Sequence, residues 1–289
     1  MQILKKIIKK FFPNFVKNYS ITKMLNRRKI EIHDLKVLNA IRKRQKEHPN
    51  PFTKFGKKYY SQTDEDGITL EIINRIGISK GFFAEFGCGN GTENNTLFLA
   101  SLGWKGFWIG GEKLVIDIEK SHKLFFIKKW ITKENILQLF KEGLKKINQG
   151  NVNLISLDLD GNDLYFCEEL LLNNIQPAVF IVEYNAKFPP PIKFTIDYNP
   201  DHIWENDDYM GASLSSFNEL FNKYGYTLIC CNAATGSNAF FVKNKFVNLF
   251  PEIPNEISKI YVEPNYFLPI QYGQHPISIK TINKILSDN

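Results

Sequence analysis

The sequence predicts an α/β fold in which helices cover both faces of a mostly parallel, seven-stranded sheet that finishes in an antiparallel β-hairpin. First, short apolar runs alternate with helical patterns from Phe82 onward, as in chains whose helices connect parallel strands. Second, the last two apolar runs, in "YTLICCNAATGSNAFFV", are joined by a turn rich in Gly and Asn, which is typical of a hairpin. Third, the 289 residues are 43% hydrophobic and 14% aromatic, which suits one large globular domain with an appendage.

Each predicted strand corresponds to a separate apolar run. The runs are 82–86, 106–109, 123–131, 152–158 and 178–184, followed by the hairpin within 226–242. In front of them, "SQTDEDGITLEIINRIG" places Asp64, Glu65 and Asp66 at the head of a helix. Because acidic side chains are favourable at a helix N-terminus, we interpret these three as capping residues.

Residues 1–58 are predicted to form a basic helical extension. They contain 17 Lys and Arg but 3 Asp and Glu, a net charge of +14 against +7 for the whole chain. The basic character therefore belongs to this segment alone. The stretch "EHPNPFTKFG" marks a linker to a main domain at 59–245, and residues 246–289 are predicted to form a tail that packs on that domain.

The first twelve residues, "MQILKKIIKKFF", have the pattern of a short amphipathic helix that ends at Pro13. Two interpretations stay open. The helix could lie on an anionic membrane surface, or its apolar stripe could dock on the protein's own core or on a second subunit in a homo-oligomer. Nucleic acid ranks well behind both, because the basic clusters "NRRK" and "IRKRQK" lack interleaved aromatic residues and a recognised binding module.

The sequence predicts a protein located in the cytosol. No run approaches the roughly 18 apolar residues of a membrane span, and the N-terminus lacks a small-residue cleavage site. The cysteines have neither the spacing of a zinc site nor that of a disulfide framework; they are Cys88, Cys167, Cys230 and Cys231. We expect a cytoplasmic protein with reduced cysteines, peripheral on the inner membrane face if its N-terminal helix binds lipid.

The stretch "FFAEFGCGNGTENNTLFLA" has the order strand, glycine loop, helix. Gly87, Gly89 and Gly91 permit positive φ and the close approach of a ligand, and the amides that open the next helix are free to donate. The G-x-G-x-G spacing differs from the dinucleotide G-x-G-x-x-G, and the loop lacks the Lys and Ser/Thr of a P-loop. The loop alone indicates a nucleotide- or phosphate-binding layout without identifying the ligand.

Polar side chains follow the fourth and fifth predicted strands. Asp158 and Asp160 in "LDLDGND" point to one side of their strand, and so do Glu183 and Asn185 in "VEYN". Neighbouring strands can therefore converge four oxygen ligands at the carboxyl edge of the sheet, where open α/β folds bind ligands. Such ligands suit Mg²⁺. In the alternative interpretation, which is equally open, Asp160 and Asp163 cap the next helix and Asn185 makes a turn.

Several blocks in this order resemble the class I methyltransferases that use S-adenosylmethionine (SAM), a Rossmann-like fold whose seventh strand is antiparallel. The first block is "AEFGCGNGTENNTLFLASLGWKGFWI"; the others are "YSQTDEDG", "ITKENI", "LISLDLDGNDLYF", "FIVEYNAKFPP" and "MGASLSSF". In amino-acid sequence these blocks are most similar to the FkbM-like group of methyltransferases, which is associated with bacterial surface-polysaccharide gene clusters. The blocks span residues 59 to about 245.

The resemblance implies a cofactor site around the first strand. The residues it assigns to SAM are Glu85, Gly87, Gly89, Gly91, Asn95, Glu112, Thr132 and Asp158. In this set Glu85 accepts from the SAM ammonium, and Thr132 lies in the adenine-contacting loop unless it is a plain helix cap. In this family an acidic residue at the end of the second strand binds the ribose. This chain has Gly110 at that position and Glu112 two residues later. Either a longer second strand lets Glu112 take that role, or the ribose is held differently.

The resemblance also implies methyl transfer to oxygen, for which the protein must align an acceptor and remove a proton. Candidate bases are Asp160, Glu183 and His202. Aromatic side chains near His202 suggest a surface for sugar rings: Trp204, Tyr198, Tyr209 and Phe188. The sequence thus predicts a SAM-dependent O-methyltransferase acting on a sugar or sugar-like group of a bacterial surface glycan or its precursor. Two alternatives remain: a nucleotide- or metal-dependent transferase or lyase on the same scaffold, and a non-catalytic glycan-assembly protein.

Overall fold

The computed structural model describes residues 13–205, 207–265 and 286, with side chains from residue 22 onward. Seven strands form one sheet in the order β3-β2-β1-β4-β5-β7-β6. They are β1 (Phe82–Phe86), β2 (Lys105–Gly110), β3 (Leu124–Lys128), β4 (Leu154–Leu157), β5 (Val179–Glu183), β6 (Tyr226–Cys231) and β7 (Asn238–Lys243). Strands β1 to β5 pair in parallel, whereas β7 is antiparallel to both of its neighbours. The prediction of a Rossmann-like, mostly parallel sheet with a terminal hairpin is confirmed.

The hairpin folds back so that β7, rather than β6, adds to the parallel strands. β7 pairs with β5 and places Asn238 opposite Glu183. Because β7 is antiparallel, its first residue lies at the edge where the parallel strands end. Asn238 thereby joins the side chains that follow β1, β4 and β5.

Seven α-helices surround the sheet within the described part of the chain. They are α1 (Pro13–Glu47), α2 (Glu65–Arg75), α3 (Leu97–Ser101), α4 (Ile136–Ile147), α5 (Asp163–Leu172), α6 (Leu214–Lys223) and α7 (Ile257–Ile260). Short 3-10 helices lie at Pro51–Phe55 and Asn244–Leu249. The basic helical extension is confirmed for residues 13–47, whereas residues 1–12 lie outside the described residues. No helix in the described ranges is both long and apolar enough to cross a bilayer.

The core has two layers, one on each face of the sheet. Alternate residues of a strand point to opposite faces, so Phe83 packs with α2 and α3 while Ala84 packs with α4 to α6. The strands are buried on both faces, which explains their continuous apolar runs. The helices that cover these faces leave the carboxyl edge of the sheet open to solvent at the cleft described below.

The tail packs on the domain as far as it is described. The Tyr184 hydroxyl donates to the Val262 carbonyl at 3.0 Å, and the Tyr261 hydroxyl donates to the Ala186 carbonyl at 2.6 Å. Arg75 pairs with Glu252 at 2.8 Å. Residues 250–262 therefore cover the main domain, and residues 266–289, apart from Leu286, lie outside the described residues.

The capping role predicted for Asp64, Glu65 and Asp66 is wrong. All three are buried, and the Asp64 side chain makes no capping hydrogen bond to α2. One oxygen of Asp66 accepts from three successive backbone N–H groups, those of residues 59–61. Asp64 accepts from Gln45 of α1 at 2.9 Å and from the Ala234 amide at 3.1 Å. The acids tie the extension and the hairpin turn to the domain, a role that depends on contacts distant in sequence.

Candidate functional site

A cleft of about 640 Å³ opens at the carboxyl edge of the sheet. Its walls come from the loops after β1, β2, β3 and β4, from segment 202–204 and from the start of β7. This is the position at which open α/β sheets bind ligands. Predicted site residues that line the cleft are Glu85, Gly87, Gly89, Asn95, Glu112, Asp158, Asp160 and His202.

Two glycines of the first loop are required for different reasons. Gly87 has φ +83°, and a Cβ there would overlap the carbonyl oxygen of Asp158, so glycine lets the loops after β1 and β4 touch. Gly89 has φ +48°, and a Cβ there would meet nothing within 4 Å. The first glycine is needed for packing, whereas the second leaves backbone and open space facing the cleft.

Glu85, the last but one residue of β1, is a buried carboxylate that holds the start of α3. It accepts from the backbone N–H groups of Asn95 at 3.0 Å and Thr96 at 3.1 Å, and from the Thr96 hydroxyl. Burial raises the pKa of Glu85 to about 7, and these hydrogen bonds oppose the rise. Glu85 thus interacts with the N-terminal end of α3, and it also lines the cleft, where an ammonium group would compensate its charge.

The second strand ends at Gly110, so Glu112 is supplied by the loop and not by a longer strand. A Cβ at Gly110 would lie 2.9 Å from the sulfur of Cys88, which leaves no room for an acidic side chain at the position where the family pattern places one. Glu112 is exposed and lines the cleft two residues later. The displaced acid is thus available to a ligand at the end of β2.

Three of the four predicted metal ligands converge. Asp158, Asp160 and Glu183 each offer an oxygen within 4.8 Å of the others, and we call this set the acidic trio. Burial, followed by repulsion within the trio, raises the pKa values of Asp158 and Glu183 well above the ordinary range. Oxygen Oε2 of Glu183 is buried without a hydrogen-bond partner among the described residues. Hard oxygen donors with an unsatisfied atom fit a divalent cation such as Mg²⁺.

Asp163 shapes the loop that carries the trio. Its two oxygens accept from the amides of Leu159 at 2.8 Å and Gly161 at 2.9 Å. Asp160 between them has φ +54°, a left-handed conformation that few residues other than glycine adopt. Asp163 therefore holds the loop before α5 and makes no capping hydrogen bond to that helix, so the capping interpretation is wrong for it, whereas Asp160 is turned toward Asp158 and Glu183.

Three predicted site residues do not line the cleft: Asn185, Thr132 and Gly91. The Asn185 amide donates to the carbonyls of Asp208 and Met210, at 2.9 and 3.0 Å, so its side chain anchors the segment before α6. The amide of Thr132 donates to the Asn135 side chain at 2.9 Å, which is a local turn. Gly91, with φ +91°, packs near Leu114 and Ile116 of the neighbouring loop.

His202 lies over the loop of the trio. Its ring packs against Gly161, where a Cβ would meet the ring at 2.5 Å, and its Nε2 is buried without a hydrogen-bond partner in the described part of the chain. Burial raises the pKa of Asp160, and attraction to the His202 ring in its protonated form opposes this rise. A proton-accepting nitrogen is thus available beside the trio.

Of the predicted aromatic surface, Trp204 lines the cleft, at 37% exposure. Tyr198 instead accepts from the Lys133 amide at 2.9 Å, and Phe188 stacks on Phe194 with ring centroids 4.0 Å apart. Neither residue lines the cleft, and Tyr198 packs against the main core; Tyr209 is exposed outside the cleft lining.

Sequence reasoning missed Trp130, Asn94 and Asn238, which also line the cleft. Trp130 is 49% exposed, and its indole donates to the Pro200 carbonyl at 2.7 Å. Asn94 stands directly before the predicted Asn95 in "TENNT", so the motif contained a signal for it. Asn238 carries no local signal, because only the β5–β7 register places it beside Glu183.

No model of a known protein family and no curated protein matches the chain. Solved structures do match. A proposed O-methyltransferase from Nostoc punctiforme is 14% identical over 61% of this chain and 54% of its own, with a TM-score of 0.36, so this chain spans about half of that protein's length. Cofactor-bound Rv0187 from MTB is 11% identical over 72% of this chain and 89% of its own, with a TM-score of 0.39.

The glycopeptide N-methyltransferase MtfA, complexed with S-adenosyl-L-homocysteine, is 13% identical over 65% of this chain and 93% of its own, with a TM-score of 0.30. The fold assignment rests on the strand order and register of this chain rather than on these similarities.

Proposed function

We propose that this protein is a SAM-dependent methyltransferase that transfers the methyl group to an oxygen atom. The observation that carries the proposal is the charge of the cleft. Its lining includes five carboxylates and no Lys or Arg among the described residues; the acids are Glu85, Glu93, Glu112, Asp158 and Asp160. A negative cleft favours a ligand that carries a sulfonium and an ammonium charge, and it disfavours a nucleotide that binds through bare phosphates.

The cofactor would be held by the loops after β1 and β2. Glu85 would accept from the ammonium group, and Glu112 would accept from the ribose hydroxyls in place of an acid at Gly110. The open space at Gly89 gives the methionine part room beside the backbone. Asn94 adds a buried Oδ1 that has no hydrogen-bond partner among the described residues.

The acceptor would lie between the cofactor and the acidic trio. Bound SAM supplies an activated methyl group on a positively charged sulfur. Mg²⁺ held by the trio would orient the acceptor hydroxyl and lower its pKa. In its absence, Asp160 or Glu183 would hold the hydroxyl, and His202 Nε2 would take the proton as the new carbon–oxygen bond forms.

We propose a sugar or sugar-like group of a bacterial surface glycan, or of its lipid-linked precursor, as the acceptor. Trp130 and Trp204 contribute two partly exposed indole side chains to the lining of the cleft. Aromatic faces suit the apolar faces of sugar rings, and carboxylates suit their hydroxyls. The absence of Lys and Arg among the described lining residues favours a neutral sugar over a phosphorylated or carboxylated one at the point of transfer.

Isothermal titration with SAM and with S-adenosylhomocysteine, each with and without Mg²⁺, tests the proposal. Both should bind in the micromolar range, and SAM should lose more affinity than S-adenosylhomocysteine as salt is added, because SAM alone carries the sulfonium charge. Glu112→Gln should weaken both at least about tenfold if it binds the ribose. Glu119→Gln, an exposed acid near the same loop, is the matched control and should change neither affinity.

Lack of binding of both compounds under every condition would refute the cofactor assignment. Tight binding of a nucleotide sugar instead would support the transferase or lyase alternative. Normal affinity in Glu112→Gln would leave the methyltransferase proposal standing and remove Glu112 from the ribose site.

A further inference from the structure

Helix α1 has two apolar stripes, and the main domain covers one of them. Val37 and Ile41 are 4% and 5% exposed and pack on Ala234 of the hairpin turn, with Asp34 and Gln45 buried on the same side. Arg44 fixes this contact, since its Nε donates to the Ala233 carbonyl at 2.9 Å. The C-terminal half of α1 is therefore anchored on the domain.

The second stripe is exposed. It consists of Met24, Leu25, Ile32 and Leu35, which are 49%, 49%, 54% and 60% exposed. At about 100° per residue, these four side chains fall within an arc of about 100°, on roughly the opposite side of the helix from the docked stripe. Four large apolar side chains on one arc, outside the domain's core, constitute an unpartnered surface.

Basic side chains accompany this second stripe. Arg28 lies inside its arc, and Lys29 and Lys36 follow one margin by the same helical angle. Among the described residues none of the three takes part in an ion pair. Long basic side chains can extend their charges to phosphate groups while the apolar side chains enter the region beneath.

We propose that the outer stripe of α1 binds the surface of an anionic lipid bilayer. The charge of the stripe selects this occupant, because Arg28 within its arc and Lys29 and Lys36 along its margin can pair with anionic headgroups. Residues 1–12, which precede α1 and lie outside the described residues, carry four further lysines. The proposal does not depend on the reaction that the cleft performs.

The contact would also orient the cleft. The hairpin turn that receives Arg44 at Ala233 continues into Asn238, which lines the cleft. α1 and the cleft are thus joined through one short turn at the carboxyl edge of the sheet. A bilayer bound along α1 would lie on the side of the molecule that carries this turn.

Co-sedimentation of the full chain with vesicles tests the proposal. The chain should bind vesicles of phosphatidylcholine with roughly one third phosphatidylglycerol, should bind pure phosphatidylcholine far less, and should be released by salt. The double variant Ile32→Glu, Leu35→Glu should weaken the partition coefficient by at least about tenfold, because it removes two apolar contacts and adds two negative charges.

The matched control is Asn26→Glu, His33→Glu. Both positions are exposed and lie away from the outer stripe, and the change in charge is the same. The control should stay within about threefold of the unmodified chain, because its charges face away from the lipid. All four positions are exposed, so thermal unfolding of both variants should match that of the parent chain and would exclude misfolding as the cause.

Two outcomes would overturn the proposal. If the stripe variant binds vesicles as well as the control while deletion of residues 1–12 abolishes binding, the lipid contact belongs to the first twelve residues and not to α1. If analytical ultracentrifugation finds a dimer that the stripe variant alone dissociates, and vesicle binding is equal in both variants, the stripe is covered by a second copy of the chain.

Discussion

Replacing Asp158 by Asn should make the protein more stable while it removes one of the proposed metal ligands. Asp158 lies in the acidic trio with Asp160 and Glu183, whose oxygens are within 4.8 Å of one another. Burial and repulsion raise the pKa values of Asp158 and Glu183, so the folded protein without a cation retains protons that the unfolded chain has lost. Retaining them at neutral pH lowers the free energy of unfolding.

The geometry sets the size of the effect. Two unit charges 4.8 Å apart repel by about 3.5 kcal/mol at an effective dielectric constant of about 20, so the trio is not fully ionised without a cation. At about pH 7 the folded chain without a cation must either hold a proton that the unfolded chain has lost or bear this repulsion, and both cost free energy. The trio is partly open to water, so we expect Asp158→Asn to stabilise the protein by about 2 to 4 kcal/mol at that pH.

The sign of the pH dependence follows from the raised pKa values. Between the unfolded pKa and the raised folded pKa, the folded state binds more protons, so the free energy of unfolding falls as the pH rises through that window. Each retained proton contributes a slope of about 1.4 kcal/mol per pH unit. Asp158→Asn should therefore make the free energy of unfolding fall less steeply with pH, by about 1.4 kcal/mol per pH unit.

Urea unfolding from about pH 5 to 8.5, with and without Mg²⁺, measures these quantities. Mg²⁺ at about one hundred times its dissociation constant should stabilise the parent chain by about 2.7 kcal/mol and Asp158→Asn much less. Glu119→Gln, at an exposed acid, is the control and should match the parent in all conditions. A variant less stable than the parent at pH 7.5 with an unchanged pH slope would refute the shared-proton reasoning.

Three further predictions test the loops around the cleft. Gly87→Ala should destabilise the protein by about 3 kcal/mol or more in urea unfolding, since its Cβ would overlap the Asp158 carbonyl oxygen at positive φ; an unchanged midpoint would contradict this. SAM affinity should fall as the pH drops below about 7, where Glu85 becomes protonated, and calorimetry on Glu85→Gln should lose this dependence. Asn232→Ala should cost about 2 to 4 kcal/mol, because the buried Asn232 amide donates to Glu65 at 3.0 Å; equal thermal stability would sink that argument.

The strands and their order along the chain could be predicted because each strand is buried on both faces. Such a strand is a continuous apolar run, as in Val179–Glu183, and a run of this kind is visible without knowledge of its neighbours. The hairpin was equally visible, because its turn needs Gly and Asn. The glycine loop and the acids after β4 and β5 were recognised from their positions at the ends of those runs.

Side-chain partners could not be predicted where they come from distant parts of the chain. The acids at 64–66 have the pattern of helix caps, but Asp64 and Glu65 accept hydrogen bonds from residues more than 160 positions away in the hairpin turn, and Asp66 accepts from the amides of residues 59–61. The alternation of side chains along a strand predicts Asn185 as a metal ligand. In the structure its amide instead donates hydrogen bonds to the carbonyls of Asp208 and Met210. The sequence leaves open whether Glu112 binds the ribose. In the structure a Cβ at Gly110 would lie 2.9 Å from the sulfur of Cys88, which excludes an acidic side chain at the end of β2.

The sequence by itself determined the α/β class, the seven strands, the loop at Gly87 and Gly89, and the acidic pair at Asp158 and Asp160, because local patterns of burial and turn chemistry encode them. Only the tertiary structure decided which of these residues share one cleft. The register of β7 against β5 brings Asn238 to the cleft, and the docking of α1 leaves its second stripe exposed. Pairing register and helix docking depend on the complementarity of surfaces far apart in the chain, which no local pattern records.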